Sequence, residues 1–274
     1  MSVFNYNNKT FLVTGAAGGI GKILTRRLLS KGAKVLACDL NLENLKIIQK
    51  ELDSFSANLE IAKLDVTNEE SWNKSIQVVQ QKEWELYGIV NCAAILKPGY
   101  LDEAELSEIH RHIDINVKGT MIGSMLGARI FSKAKKGHII NIASLAGVAP
   151  IPGIALYSTS KFAVRGFTLA LAMEMKPKNV SVTVICPDAV NTPMLDLQTN
   201  YKEAALTFSG TTLTPEEVVN EILSSLEKNK LEVLLPAYRG VLAKLGNIFP
   251  FIASILLEPL RNKGLNKQKE LLKK

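Results

Sequence analysis

The chain has 274 residues, 47% of them apolar and 22% charged, with a formal charge of +7. That length carries one sizeable core, and the composition is globular, which excludes a disordered or fibrous chain. The positive surplus gathers near the end, where Arg261, Lys263, Lys267, Lys269, Lys273 and Lys274 face only Glu270. With neither aromatic–basic interleaving nor zinc-type spacing beside it, this reads as a basic tail, and nucleic acid is excluded as a partner.

Cys38, Cys92 and Cys186 lie in or at the end of apolar runs, at no metal-ligand spacing. They read as reduced, buried thiols in a cytoplasmic setting, and no metal site is expected. The opening residues are polar and lack the apolar core of a signal peptide. No apolar run is long enough to cross a bilayer as a simple helix.

In chain order, strands are predicted at Thr10–Thr14, Lys34–Asp39, Leu59–Leu64, Gly88–Asn91, His138–Ile142 and Ser181–Ile185, with a last one at Leu231–Leu234. Helix-period stretches intervene, among them Ile20–Lys31, Leu42–Leu52, Glu69–Gln81 and Glu105–Phe131. Apolar strands alternating with helices predict an α/β fold: a Rossmann-like, doubly wound parallel sheet of about seven strands with helices on both faces. One domain over 1–239 is expected, followed by a helical extension, amphipathic and basic, over 240–274. Residues 188–212 are polar and turn-rich and read as a mobile lid. Thr214, Pro215 and Glu217 form a capping-box signature that starts a helix.

Thr14-Gly15-Ala16-Ala17-Gly18-Gly19-Ile20-Gly21 follows the first strand and opens a helix. Glycine there makes the tight turn, admits a pyrophosphate to the backbone amides and lets helix and strand pack closely. The helix N-terminus then offers N–H groups to phosphates. Asp39 ends the second strand, 24 residues after Gly15. A carboxylate there can accept hydrogen bonds from both adenosine ribose hydroxyls and repels a 2′-phosphate, and no Arg or Lys stands nearby to favour that phosphate. NAD (NAD⁺/NADH) is therefore expected in preference to NADP; the alternative for Asp39 is a cap on the next helix. Asp65, with Val66 beside it, is placed to meet the adenine amino group, or else caps the helix before Asn68.

Tyr157 and Lys161 are four apart and share one face of a helix. A phenol titrates at about 10, too high for acid/base work near neutrality, and an adjacent ammonium lowers it. Such a pair can take a proton from an alcohol as hydride leaves carbon, or return one to a carbonyl. Ser144 lies 13 residues before Tyr157, just past a strand whose carboxyl end faces the site.

Together these motifs, in this order from about residue 9 to about 235, resemble the short-chain dehydrogenase/reductase family in its single-domain form. The resemblance implies a dinucleotide loop of Thr14, Gly15, Gly19, Ile20 and Gly21. Asn91, in Asn91-Cys92-Ala93-Ala94, would steady the central sheet and flank the adenine ribose, with Ala93 in the cofactor channel. Asn116 would kink its helix and hold a water in a proton relay. Ser144 would polarise the substrate oxygen and Tyr157 would be the acid/base. Lys161 would bind the nicotinamide ribose and depress the Tyr157 pKa. Pro187, Val190 and Thr192 would cradle the nicotinamide carboxamide. The chain departs from the family pattern at Ala94 and Asp188, both usually glycine. A carboxylate at Asp188 near the nicotinamide would favour cationic NAD⁺ and alcohol oxidation; the alternative is an exposed turn aspartate.

Met194, Leu195, Leu197, Tyr201, Leu206 and Phe208 are expected to line an apolar substrate pocket. Ile248–Leu257 is apolar throughout, with Pro250 inside, and a basic segment follows. It reads either as a helix in peripheral contact with a membrane or as a cover for the pocket or a dimer interface. The expected activity is NAD-dependent hydride transfer to or from a lipophilic secondary alcohol or ketone, of steroid, retinoid or fatty-alcohol type. Two alternatives stand beside it: a 3-oxoacyl-thioester reductase and a catalytically silent NAD-binding regulator. A homodimer or homotetramer is implied by the resemblance.

Overall fold

Phe11 and Val13 of the first strand enter one apolar cluster and Leu12 the other. The second strand repeats the division, with Val35 and Ala37 on one side and Leu36 and Cys38 on the other. Strands apolar on both faces must be covered on both, and the molecule is built that way.

The computed structural model describes residues 4–273, apart from the side chains of 252–254 and 256. The chain runs β1 (Thr10–Thr14), α1 (Gly19–Ser30), β2 (Lys34–Asp39), α2 (Leu42–Glu51), β3 (Leu59–Lys63), α3 (Glu69–Gln81), β4 (Leu86–Asn91) and α4 (Leu106–Arg111). It continues with α5 (Gly119–Ala134), β5 (His138–Ile142), α6 (Ala155–Met175), β6 (Ser181–Pro187), α7 (Pro193–Asp196) and α8 (Pro215–Lys228). Then come β7 (Glu232–Leu235), α9 (Ala237–Ile248) and α10 (Pro250–Leu271). All seven strands are parallel, in the order β3-β2-β1-β4-β5-β6-β7. Leu24 and Leu28 of α1, Leu45 and Ile48 of α2, and Val218 and Ile222 of α8 fill one face. Trp72 and Val79 of α3, Phe131 of α5, and Leu171 and Met175 of α6 fill the other. The direction of winding reverses between β1 and β4, which opens a crevice at their carboxyl ends. The capping box at Thr214 is formed, with Glu217 N donating to the threonine hydroxyl at 3.2 Å.

Three expectations are corrected. The predicted helix Glu105–Phe131 is interrupted by a π-helical turn over His112–Lys118. There Asn116 turns its amide to the neighbouring loop, accepting from Ile95 N at 2.8 Å and donating to Ile95 O at 2.9 Å. The segment 188–212 is not structureless: it holds α7 and a 3-10 stretch, Lys202–Ser209. Its ordering follows from burial, because Ala204, Ala205 and Phe208 are almost wholly enclosed beneath α10. The expected boundary at residue 240 falls inside α9, where Gly240 is packed against Leu234 of β7.

Candidate active site

The glycine loop needs its glycines for steric reasons visible on all sides. Gly15 has a φ of +65°, and a Cβ there would stand 2.8 Å from Ala93 N. A Cβ on Gly21 would strike the Gly15 carbonyl oxygen. The Thr14 hydroxyl accepts from Cys92 N and Ala93 N, each at 3.1 Å, stitching β1 to the loop after β4. Helix α1 is capped by Gly18, without a side-chain acceptor and with no acid in its first turn. Its leading N–H groups therefore face the crevice uncommitted, and a diphosphate fits them.

Asp39 sits at the crevice edge, its Oδ2 accepting from Ala17 N and its Oδ1 from Asn41 N, each at 3.0 Å. The cap of α2 is Asn41, not Asp39, so the carboxylate braces the glycine loop instead. Asp65 accepts from Thr67 N at 2.9 Å, and the cap of α3 is Asn68. Gly15, Gly19, Ile20, Gly21, Asp39, Asp65, Val66 and Ala93 all line one cavity of about 1680 Å³.

Along the cavity from the glycine loop, Ser144 follows β5. Its hydroxyl accepts from Ala146 N at 3.1 Å and donates to Pro187 O at 3.3 Å. Tyr157 and Lys161, one turn apart on α6, line the same wall, with Lys161 Nζ 5.4 Å from the centre of the Tyr157 ring. Lys161 donates to Ile142 O at 2.8 Å. Burial pushes the Tyr157 phenol up to about 12, where the adjacent ammonium was expected to bring it down; the nearby Ser144 hydroxyl offsets only part of the rise. Burial likewise brings Lys161 down to about 8. Cys92 and Cys186, beside them, are pushed up to about 12 by burial and stay uncharged thiols. Pro187, Val190 and Thr192 complete this end.

Several sequence-derived placements need amendment. Asn91 turns away from the cavity and donates to Asn141 Oδ1 at 2.8 Å and Ser124 Oγ at 3.3 Å. It ties β4 to β5 and α5, so sheet bracing fits its position and contact of its side chain with a ribose does not. Asn116 is buried one layer behind the wall, donating to Ser160 Oγ at 3.0 Å. Ser160 in turn donates to the Tyr157 carbonyl at 2.7 Å. Met194, Leu195 and Leu206 line the cavity. Leu197 and Tyr201 do not: they fall on the outer side of the turn after α7 and are 57% and 40% exposed. Phe208 is core. Ala146, Ala149, Ile151 and Ile154 line the pocket instead. Their signal was present in the sequence as the apolar run between Ser144 and Tyr157.

The family model described as short chain dehydrogenase matches residues 9–203. The chain belongs to the short-chain dehydrogenase family. It is 32% identical over 222 residues to a cyclopentanol dehydrogenase of Comamonas testosteroni, covering 79% of this chain and 89% of that protein. A 3-alpha-(or 20-beta)-hydroxysteroid dehydrogenase of Mycobacterium tuberculosis is 34% identical over 188 residues, 69% of this chain and 71% of the other. Among solved structures, ElxO with NADP bound superposes with a TM-score of 0.72 at 25% identity, covering 82% of this chain and 97% of that one. A 3-ketoacyl-(acyl-carrier-protein) reductase from Brucella melitensis complexed with NADH gives 0.75 at 23%, covering 84% and 97%, a likeness of fold.

Much of this dehydrogenase's cavity lies beyond residue 203. Helices α9 and α10 roof it with Tyr238, Leu242, Leu245, Phe249 and Leu260 among others. Arg239 of α9 reaches Asp188 Oδ2 at 2.6 Å and donates to Ser209 Oγ at 3.3 Å. Asp188 is thus neither exposed nor unmatched, and its negative charge is offset where it was expected to act on the nicotinamide. Around the α9–α10 turn, Ile248, Phe249, Phe251 and Ile255 are more than half exposed. No helix among the described residues is long and apolar enough to cross a membrane. Lys274, counted in the basic tail, lies outside the described residues.

Proposed function

We propose that this oxidoreductase transfers hydride between NAD and a lipophilic secondary alcohol or ketone. The observation that carries the reading is the convergence of Tyr157, Ser144 and Lys161 on one wall of a cavity whose other end is the glycine loop and Asp39. Gly15, Gly19, Ile20 and Gly21 would hold the diphosphate, and Asp39 the adenosine ribose, where its charge disfavours a 2′-phosphate. Bound nicotinamide supplies the hydride acceptor or donor.

The residues divide the remaining work. Ser144, on the same wall, orients the substrate oxygen toward the Tyr157 phenol. Tyr157 takes the hydroxyl proton in oxidation and returns it in reduction. Lys161, one turn along, would oppose by its charge the upward push of burial on the phenol. Asn116 positions α6 from behind through Ser160. A water held at Asn116 would extend the proton path toward solvent.

The apolar lining and the size of the cavity support a bulky substrate, and the two dehydrogenase relatives act, by their names, on cyclopentanol and on hydroxysteroids. Spectrophotometry with NAD⁺ and NADP⁺ against a panel of cyclic and long-chain secondary alcohols tests the reading. Turnover of none of them, with either cofactor and in either direction, would overturn it. The exposed apolar turn between α9 and α10 supports peripheral membrane delivery of such substrates. Flotation with anionic liposomes, lost on joint Ile248→Asp and Ile255→Asp substitution, tests that part. Pairing through α5 and α6 into a dimer or tetramer is checked by light scattering.

A further inference from the structure

The cavity is sorted by charge. Its carboxylates are Asp39 and Asp65 at the adenosine end and Asp188 beneath the roof; no glutamate lines it. Apart from Lys161, its cations all come from the roof: Arg239 of α9, and Lys263 and Lys267 of α10. Asp188 answers Arg239 at 2.6 Å and feels the Lys267 charge more weakly. Lys263 and Lys267 themselves make no ion pair among the described residues. Lys267 donates to Gly210 O at 2.8 Å, which uses one of its three donors and leaves it without a direct carboxylate partner among the described residues.

This pair is placed, not incidental. The two lysines are four residues apart on one helix face, where like charges repel. The helix is nonetheless pinned in that orientation. Gly264, between them, lies so close to the Ala205 carbonyl that no side chain fits. Gln268, only 3% exposed, donates to Tyr201 O at 2.9 Å and Gln198 O at 3.1 Å. The wall around Tyr157 is apolar, with Ile151, Ile154 and Met194 packed together there, and Leu206 and Leu242 line the same cavity.

We propose that the roof selects an amphipathic anion: a lipophilic alcohol or ketone bearing a carboxylate remote from the reacting carbon. Lys263 and Lys267 hold the carboxylate, and the apolar span carries the reacting carbon to Tyr157. The inference rests on the function proposed above for its second half only; the anion site stands on the lysines themselves.

The test is calorimetric titration of the full-length, NADH-loaded protein with decanoate and, separately, decanol. Decanoate is expected to bind roughly tenfold tighter or more, the usual worth of charge-assisted hydrogen bonds over neutral ones. The joint Lys263→Gln and Lys267→Gln variant should lower decanoate affinity to that of decanol and leave decanol unchanged. Added salt should narrow the gap. The single Lys263→Gln variant, at an exposed side chain with no hydrogen bond to lose, should give part of the effect without any change in melting temperature. Equal affinities, no binding of either ligand, or a gap untouched by the substitutions overturns the proposal. If neutral secondary alcohols are turned over while decanoate shows no preference, the anion site alone fails. If the preference depends on the lysines while no alcohol or ketone is turned over, the oxidoreductase assignment of substrate fails and the anion site survives.

Discussion

Asp188, at the end of β6, and Arg239, in the first turn of α9, meet at 2.6 Å across the seam between sheet and roof. Burial raises the Asp188 carboxyl above its usual range, and Arg239 is the first of the groups pulling it back. Arg239→Ala strands a largely buried carboxylate, and a loss of about 2–3 kcal/mol in denaturant unfolding is expected, at the low end for a buried pair because Arg239 is partly exposed. Removing both partners, as Asp188→Gly with Arg239→Ala, should recover most of it. An additive double variant would show that the pair is not coupled.

Tyr157→Phe removes only the phenolic oxygen. The expected outcome is a fall in kcat of roughly 10³ or more with NADH affinity nearly unchanged, read by turnover and by nucleotide fluorescence. Because alcohol oxidation needs the deprotonated phenol, its rate should rise with pH, and reduction should show the opposite limb. Lys161→Gln, by removing the charge that favours phenolate, should move the rising limb to higher pH. An unmoved limb would detach Lys161 from the proton transfer.

Asp39→Ser deletes the charge that faces a 2′-phosphate. The ratio of kcat/KM for NADP⁺ over NAD⁺ is expected to rise about tenfold or more, from a gain for NADP⁺ together with a loss for NAD⁺. The Oδ2 bond to Ala17 N is lost with it, so a small drop in melting temperature accompanies the change.

His138 is fully buried in β5, its Nε2 2.8 Å from Thr183 Oγ1. Burial lowers its pKa from 6.5 to about 3, so it is neutral in the fold. Between those values the unfolded chain binds a proton that the folded chain refuses, so stability falls as pH drops below 6.5, by up to about 1.4 kcal/mol per pH unit from this group. His138→Gln should flatten the acid side of the melting-temperature profile. A profile as steep as that of the parent protein would place the acid sensitivity elsewhere.

Strand positions were legible because β1, β2 and β5 are short, apolar and bounded by turns, and the candidate catalytic wall because Ser144, Tyr157 and Lys161 lie on consecutive elements at fixed spacing. Asn116 shows where periodicity falls short: its stretch is helical in pattern, yet one side-chain amide satisfying the Ile95 backbone opens a π-turn. Leu197 and Tyr201 read as pocket residues by composition alone. Their outward placement depends on where the four-residue helix α7 ends, which no pattern that short specifies. The partnership of Asp188 with Arg239 spans 51 positions between an aspartate that breaks a familiar motif and an arginine with no motif of its own. Only the packing of α9 brings them together.

The placement of α9 and α10 separates chemistry from choice. The residues proposed for proton transfer and dinucleotide contacts fall in the stretch shared with the family, while the far side of the pocket is supplied by helices held to it through Gly264, Gln268 and Arg239. Changes in Ala237–Leu271 can therefore retune which molecule enters without touching the groups that react with it. A lineage can acquire a new substrate there while its sheet stands still.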